Sequence, residues 1–262
     1  MKHKIITFGE LMLRLSPDNN ERFTQAHSYE AVYGGGEANT AVSLANFNVD
    51  TRYVTKLPNH TIGQSAVNSL RQYGVDVSRI VRGGDQIGIY FLEKKTSQRP
   101  TNVIYNRNGS AFALATKEDF DWNSIFEGAT WFHFSGITPA ISDNMAEITI
   151  EACKEAKKRN ITVSCDLNYR SKLWSSEKAN KVMSEVCKYV DICIANEDDA
   201  VGIFGMDASK SDKEKNAYIA EELTKMFPNF KMVASVWRTE TSITTFKLQS
   251  MIYTDGKAYY SQ

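Results

Sequence analysis

Val32-Tyr-Gly-Gly-Gly-Glu-Ala-Asn-Thr-Ala-Val-Ser-Leu-Ala-Asn-Phe-Asn48 is the stretch on which the reading of this chain turns. Three successive glycines, Gly34, Gly35 and Gly36, follow a short run with strand character. Behind them Ala38, Ala41, Val42, Leu44, Ala45 and Phe47 recur at a spacing that suits one face of a helix. A strand therefore ends, and a helix begins, on bare backbone. Missing Cβ atoms permit positive φ and let a ligand approach the peptide groups closely, while the first helical turn leaves N–H groups free to donate. That is a polar-ligand site in outline, although a glycine-rich turn that binds nothing has the same pattern.

On the N-terminal side, Ile5 to Phe8 is a short apolar run ending at Gly9-Glu10. It suits a buried parallel strand that opens onto a loop at its carboxyl end, the edge at which ligands collect in open α/β sheets. Met12 to Ser16 and Ser28 to Tyr33 alternate like exposed strands. On the C-terminal side come a strand at Thr51 to Leu57 and a helix at Gly63 to Tyr73 closed by Gly74. Ile87 to Lys95 and Pro100 to Arg107 are rich in aromatic and β-branched residues and read as a hairpin. The exposed strands and the hairpin, drawn from about 12–33 and 87–107, are assigned to one small β lid.

From Trp131 the alternation is regular. Strands are expected at Trp131 to Phe134, Thr162 to Leu167, Asp191 to Ala195 and Lys231 to Val236. Helices are expected at Asp143 to Arg159, from a cap at Ser176 through Tyr189, at Asp198 to Phe204, and at Lys213 to Phe227 stopped by Pro228. Such units argue for a parallel sheet with helices on both faces. Strands at Ser242 to Phe246, Met251 to Tyr253 and Ala258 to Tyr260 close the chain, the last two joined by the hairpin signal Asp255-Gly256. With no long linker, low-complexity tract or internal repeat, 1–262 reads as a single α/β domain carrying one lid.

The bulk numbers narrow the function classes. A chain of 262 residues can bury a large core. Lys plus Arg balances Asp plus Glu at 31 each, so no global field favours nucleic acid or an anionic membrane. The four cysteines, Cys153, Cys165, Cys187 and Cys193, form no C-x-x-C pair and read as reduced core thiols of a cytoplasmic protein. His3, His27, His60 and His133 are scattered and suggest neither a metal site nor a triad. There is no apolar run long enough to span a bilayer, no phosphate-binding G-x-x-x-x-G-K-[ST] loop and no G-x-G-x-x-G.

Four groups of residues could carry chemistry. Tyr105 and Arg107, two apart in a strand, share a face; a phenol beside a guanidinium can bind a hydroxyl and, bidentately, a carboxylate, and Tyr90 on the partner strand could join them. An exposed sheet face with one aromatic and one charge reads the same way. Asp166, Asn168 and Arg170 end the strand at Thr162 to Leu167, which would place carboxylate, amide and guanidinium over a cleft, although a solvated loop has the same pattern. Asn196-Glu-Asp-Asp199 reads as an N-cap with an acidic first turn, which is compatible with a further role for its carboxylates. Val233-Ala-Ser-Val-Trp-Arg-Thr-Glu240 offers Ser235 and Arg238 to a phosphate without any glycine.

Gly34-Gly-x-x-x-Asn39-x-Ala41 resembles the N-terminal signature of the ribokinase-like (PfkB) family of carbohydrate kinases, and chain order and lid insertions fit that family throughout. The resemblance implies a ribokinase-like parallel-sheet sandwich with helices on both faces and a small β lid. It implies that Gly34, Gly35, Gly36 and Asn39 touch the sugar. The pair Tyr105-x-Arg107 resembles the carboxylate clamp of 2-keto-3-deoxygluconate kinases, and Arg170 is implied to meet both the acid sugar and the transferring phosphoryl group. Asn196-x-x-Asp199 resembles an Asn-x-x-Glu motif whose acidic residue supports Mg2+ through water, here with a shorter side chain; Asn168, Arg170, Asn196, Ser235 and Arg238 are the candidate ATP contacts. The expected activity is transfer of the ATP γ-phosphoryl group to a small sugar acid, with a neutral-sugar kinase for fructose or ribose as the alternative. Homo-oligomers paired through the lid are also implied.

The resemblance breaks off before the family's Asp-Thr-x-Gly-Ala-Gly-Asp segment, whose amides form an anion hole and whose last Asp deprotonates the attacking hydroxyl; that string does not occur here. Phosphoryl transfer rests on positioning and charge stabilisation, so the chain is expected to be a shortened form of a longer enzyme or a fragment that binds a sugar acid without turnover. An exposed apolar surface is expected near Val233, Val236 and Phe246.

Overall fold

The structure is a computed structural model that describes residues 3–207, 215–240, 242 and 245–261. Two compact units divide the chain, Met1–Ala129 and Thr130–Gln262.

In the first unit, β1 (Lys4–Phe8) is followed by β2 (Met12–Pro17), β3 (Tyr29–Gly34) and α1 (Gly36–Asn46). Next come β4 (Asp50–Val54), β5 (Lys56–Leu57), α2 (Thr61–Arg71), β6 (Val81–Arg82), β7 (Gly88–Glu93), β8 (Asn102–Asn106) and the short α3 (Trp122–Ile125). The buried strand expected at Ile5 to Phe8 pairs in parallel with β4, Phe8 opposite Val54. The segment expected as one strand from Thr51 to Leu57 is interrupted at Thr55, and β5 leaves to pair with β6. A separate four-stranded sheet has the order β3-β2-β7-β8, with β7 and β8 antiparallel. α1 and α2 turn their small and branched residues inward: Ala38, Ala41, Ala66, Val67 and Leu70 join Leu11, Tyr53, Leu57 and Val75 in one buried cluster. Each fully buried large side chain of this kind contributes about 1.5–3 kcal/mol. A second cluster is aromatic, with Phe112, Phe120 and Trp122 edge-on around Phe8 at centroid distances of 5.4, 5.2 and 5.4 Å.

In the second unit, β9 (Trp131–Ser135) leads into α4 (Ile137–Ala140), a short helix that the sequence does not suggest, after which α5 (Asp143–Lys158), β10 (Thr162–Asp166), α6 (Ser176–Cys187), β11 (Ile192–Ile194) and α7 (Glu197–Phe204) alternate as expected. α8 (Lys215–Met226), β12 (Met232–Glu240), β13 (Phe246–Thr254) and β14 (Lys257–Tyr260) complete it. Residues 213 and 214, at the start of the helix expected from Lys213, lie outside the described residues, as do 243 and 244 in the expected strand from Ser242. β9 through β12 are parallel, whereas β12, β13 and β14 are antiparallel. The sheet is therefore mixed rather than parallel throughout. Asp255 and Gly256, at φ of 51° and 72°, make the two-residue turn that returns the chain beside itself, and such a hairpin can only be antiparallel. α6 is capped by Ser175, whose Oγ accepts from the Lys178 N–H at 3.3 Å, not by Ser176.

The expected apolar surface is only partly there. Val236 and Phe246 are 57% and 43% exposed and are joined by Leu248 at 67%, but Val233 is fully buried. Positions 233 and 236 are an odd number apart on one strand, so their side chains point to opposite faces. All four cysteines are free and buried, and burial pushes their thiols up. Among the described residues no helix is long and apolar enough to cross a membrane.

Candidate functional site

The glycine turn adopts a different geometry from the one its composition invites. None of Gly34, Gly35 and Gly36 has positive φ, and Gly35, the N-cap of α1, is extended at φ −175°, ψ 154°. Proximity is what demands glycine. A Cβ on Gly35 would stand 2.2 Å from the carbonyl oxygen of Glu10, closer than any real contact. A Cβ on Gly34 would meet Asn39 Oδ1 at 3.7 Å and the Tyr90 hydroxyl at 3.9 Å, so these three expected site residues converge. Gly36 faces open space. Gly34 and Asn39 also line a cavity of about 410 Å³ with Leu11, Tyr33, Ser43 and Tyr73.

Tyr90 and Tyr105 are cross-strand partners on β7 and β8, their rings stacked at 5.9 Å and 29°. Tyr105 is 49% exposed. Arg107 lies just past the end of β8 rather than within it, and its guanidinium carbon sits 5.8 Å from the Tyr105 ring centroid. Arg107 itself is buried. Its Nε donates to Glu10 Oε2 at 2.7 Å and its Nη2 contacts the same oxygen, while Ser110 Oγ donates to Glu10 Oε1 at 2.5 Å. Burial pushes the Glu10 carboxyl up, and the Arg107 charge opposes that shift.

In the second unit, Asp166, Asn168 and Arg170 stand at the carboxyl end of β10. Asn168 takes a left-handed backbone at φ 41°, and its Nδ2 donates to Asp166 Oδ2 at 3.4 Å. A non-glycine residue held there marks local strain of a kind common at ligand sites. Arg170 is exposed, with Nη1 donating to the Tyr169 carbonyl at 2.9 Å. Asn196 caps α7: Asn196 Oδ1 accepts from the Asp199 N–H at 3.0 Å and Asp199 Oδ2 from the Asn196 N–H at 3.1 Å. Asp199 Oδ1 accepts from the Tyr169 N–H at 2.7 Å. Burial pushes this carboxyl up, against the pull of those amides. Each Asp199 oxygen thus accepts one backbone N–H and keeps a lone pair, and among the described residues no group of three or more His, Cys, Asp or Glu is arranged to hold a metal ion.

Ser235 is buried, its Oγ donating to the Ala195 carbonyl at 2.7 Å, so its hydroxyl braces β12 rather than facing a cleft. Arg238 and Asn196 do share a cavity, about 470 Å³, with Asp198, Lys215, Asn216 and Trp237. Lys215 holds Glu197 Oε1 at 2.5 Å, and Arg238 lies 4.1 Å over the Phe246 ring. Glu10, Lys215 and Trp237 are the residues sequence reading passed over. Gly9-Glu10 at the carboxyl end of β1 was a usable signal for the first; nothing in the local pattern singles out the other two.

The sequence profile described as pfkB family carbohydrate kinase matches residues 2–229. The chain is 37% identical over 209 residues to a 2-dehydro-3-deoxygalactonokinase of Haloferax volcanii, covering 79% of this chain and 65% of the relative. It is 28% identical over 179 residues to a 2-dehydro-3-deoxygluconokinase of Bacillus subtilis, covering 68% and 55%. Matched regions thus span 65% or less of these two curated relatives. Among solved structures, a 2-dehydro-3-deoxygluconokinase from Thermotoga maritima superposes with a TM-score of 0.95 and 46% identity over 100% of this chain and 79% of that one. The α/β architecture with mixed sheets and helices on both faces is the ribokinase-like one. Signature, chain order and fold agree, and the chain belongs to the pfkB family of carbohydrate kinases.

Proposed function

We propose that the protein serves the ATP-dependent phosphorylation of a small sugar acid, 2-keto-3-deoxygluconate first among candidates. The observation that carries this reading is Arg107 beside the stacked pair Tyr90 and Tyr105, in the same unit as Gly34 and Asn39. A neutral sugar has no group that calls for a fixed guanidinium. In this reading Gly34, Gly35, Gly36 and Asn39 hold hydroxyls, Tyr90 and Tyr105 wall the guest, and Arg107 holds the acid end. Arg170, exposed at the carboxyl end of β10, neutralises charge on the moving phosphoryl group. Asn168, Asn196, Lys215 and Arg238 meet the ATP phosphates, the last three being joined by one cavity. Asp199 holds the Tyr169 amide and the start of α7 in place, and with a lone pair left on each oxygen it would support Mg2+ through water.

The reading is tested by calorimetry with 2-keto-3-deoxygluconate and with fructose, run beside an ADP-release assay. Arg107→Leu should weaken the acid at least about tenfold, the worth of one hydrogen bond to a charged group, and leave the response to fructose where it was. Equal losses for both guests would refute the sugar-acid assignment. Heat without ADP would make this chain a binder. Self-association through the exposed strand β8, with Ile104 at 51% exposure, is proposed alongside and is checked by the mass on gel filtration with and without Ile104→Lys. The four buried free thiols support residence in a reducing cytoplasm, which fluorescence microscopy of a tagged chain checks.

A further inference from the structure

Glu10 sits where four pieces of the first unit meet. Its backbone carbonyl fills the space a Gly35 side chain would need, at 2.2 Å from that Cβ position. Its Oε1 lies 2.5 Å from the Cβ position of Gly88, the first residue of β7. Its two carboxylate oxygens then divide between Arg107 and Ser110, and Ser110 Oγ in turn accepts from the Ala113 N–H at 3.1 Å. All three polar side chains are buried, at 4%, 6% and 1% exposure for Glu10, Arg107 and Ser110.

A carboxylate kept out of water needs partners, and one that finds a guanidinium and a hydroxyl there locks both. The bonds fall on one side of the arginine. Nε and Nη2 are spent on Glu10, and the Nη1 end remains for a second acceptor. An arginine held by its near edge presents its far edge in one orientation, which is how a flexible side chain becomes a fixed anion probe.

We propose that Glu10 is the positioning residue for Arg107, fixing the guanidinium so that its outer edge receives the carboxylate of the sugar acid. Through the Gly35 and Gly88 contacts the same residue sets the distance between that edge and the glycine turn. Glu10 does not touch the guest in this scheme; it acts through Arg107, and the inference rests on the proposed reading that Arg107 binds the acid end.

The test uses the full chain and calorimetric affinities for 2-keto-3-deoxygluconate and fructose. Glu10→Asp keeps the negative charge but draws the carboxylate back by one methylene. The acid-to-fructose preference should fall about tenfold, the worth of a hydrogen bond to a charged group, and should fall no further when Glu10→Asp is added to Arg107→Leu. A merely structural role would weaken both guests together and leave the preference unmoved. If Glu10→Asp does not fold, as judged by thermal melting, Ser110→Ala releases the other oxygen and should lower the preference in the same direction. An unchanged preference in the folded variant, with Arg107→Leu lowering it, overturns the positioning role alone. If Arg107→Leu itself leaves the preference intact, the acid-end reading falls and this inference with it.

Discussion

Gly35 owes its identity to a neighbour rather than to a torsion angle, because its backbone is one that any residue can adopt and only the Glu10 carbonyl, 2.2 Å from the would-be Cβ, forbids a side chain. Gly35→Ala should therefore destabilise the chain by about 1–3 kcal/mol, as overpacking does, read as a lower urea midpoint. It should also disturb the Glu10 side chain and so the acid preference. His133 offers a test by titration. Burial lowers its imidazole from 6.5 to about 4, with Nδ1 2.9 Å from Ser164 Oγ. An unfolded chain takes up a proton below pH 6.5 that the folded one refuses until about pH 4, so stability should fall as pH drops through that window. Urea titrations from pH 7 to pH 4 should show the loss, and His133→Gln should flatten it. At this scale the sequence was legible where chemistry is local: Gly34 and Asn39 are five positions apart and do converge. Glu10 and Arg107, 97 positions apart, are joined only by the fold, and no local pattern announces such a pair.

Elements long enough to show a period were the readable ones. α5 buries Met145, Ile148, Thr149, Ala152, Cys153 and Ala156, a 3.6-residue rhythm visible in the sequence, and Ser142 caps it by accepting from the Met145 N–H at 3.2 Å. Ser142→Ala should lower stability by about 1 kcal/mol, seen as an earlier thermal transition. The four-residue helices α3 and α4 carry no period, and they went unread. α3 exists because Trp122, stacked on Phe126 at 5.3 Å, packs edge-on against Phe8, a tertiary cause that local propensity cannot express. Strand limits slipped for similar reasons. Pro100 to Arg107 reads as one β-rich run, but the strand stops at Asn106 and Arg107 turns into the interior toward Glu10. The acidic turn at 196–199 reads as a cap, and the cap is what forms: Asn196 and Asp199 exchange hydrogen bonds at the start of α7.

For the whole molecule, alternation of strands and helices was enough to predict an α/β architecture, and the Asp255-Gly256 signal was enough to predict its last hairpin. What alternation does not carry is the direction of β13, which runs antiparallel to β12 at the end of a run of parallel strands. Exposure was misjudged in the same region, since Val233 and Val236 look alike in sequence and point to opposite faces. The distribution of cysteine supplies an internal reporter. All four sulfhydryls lie in the Thr130–Gln262 unit and all are buried, so alkylation by a maleimide requires that unit to open. Mass spectrometry across a urea series should find the native chain unmodified and the count climbing to four as residues 130–262 come apart, with no engineered probe. An adduct gained in native buffer would mean that this half of the chain breathes far below its global unfolding.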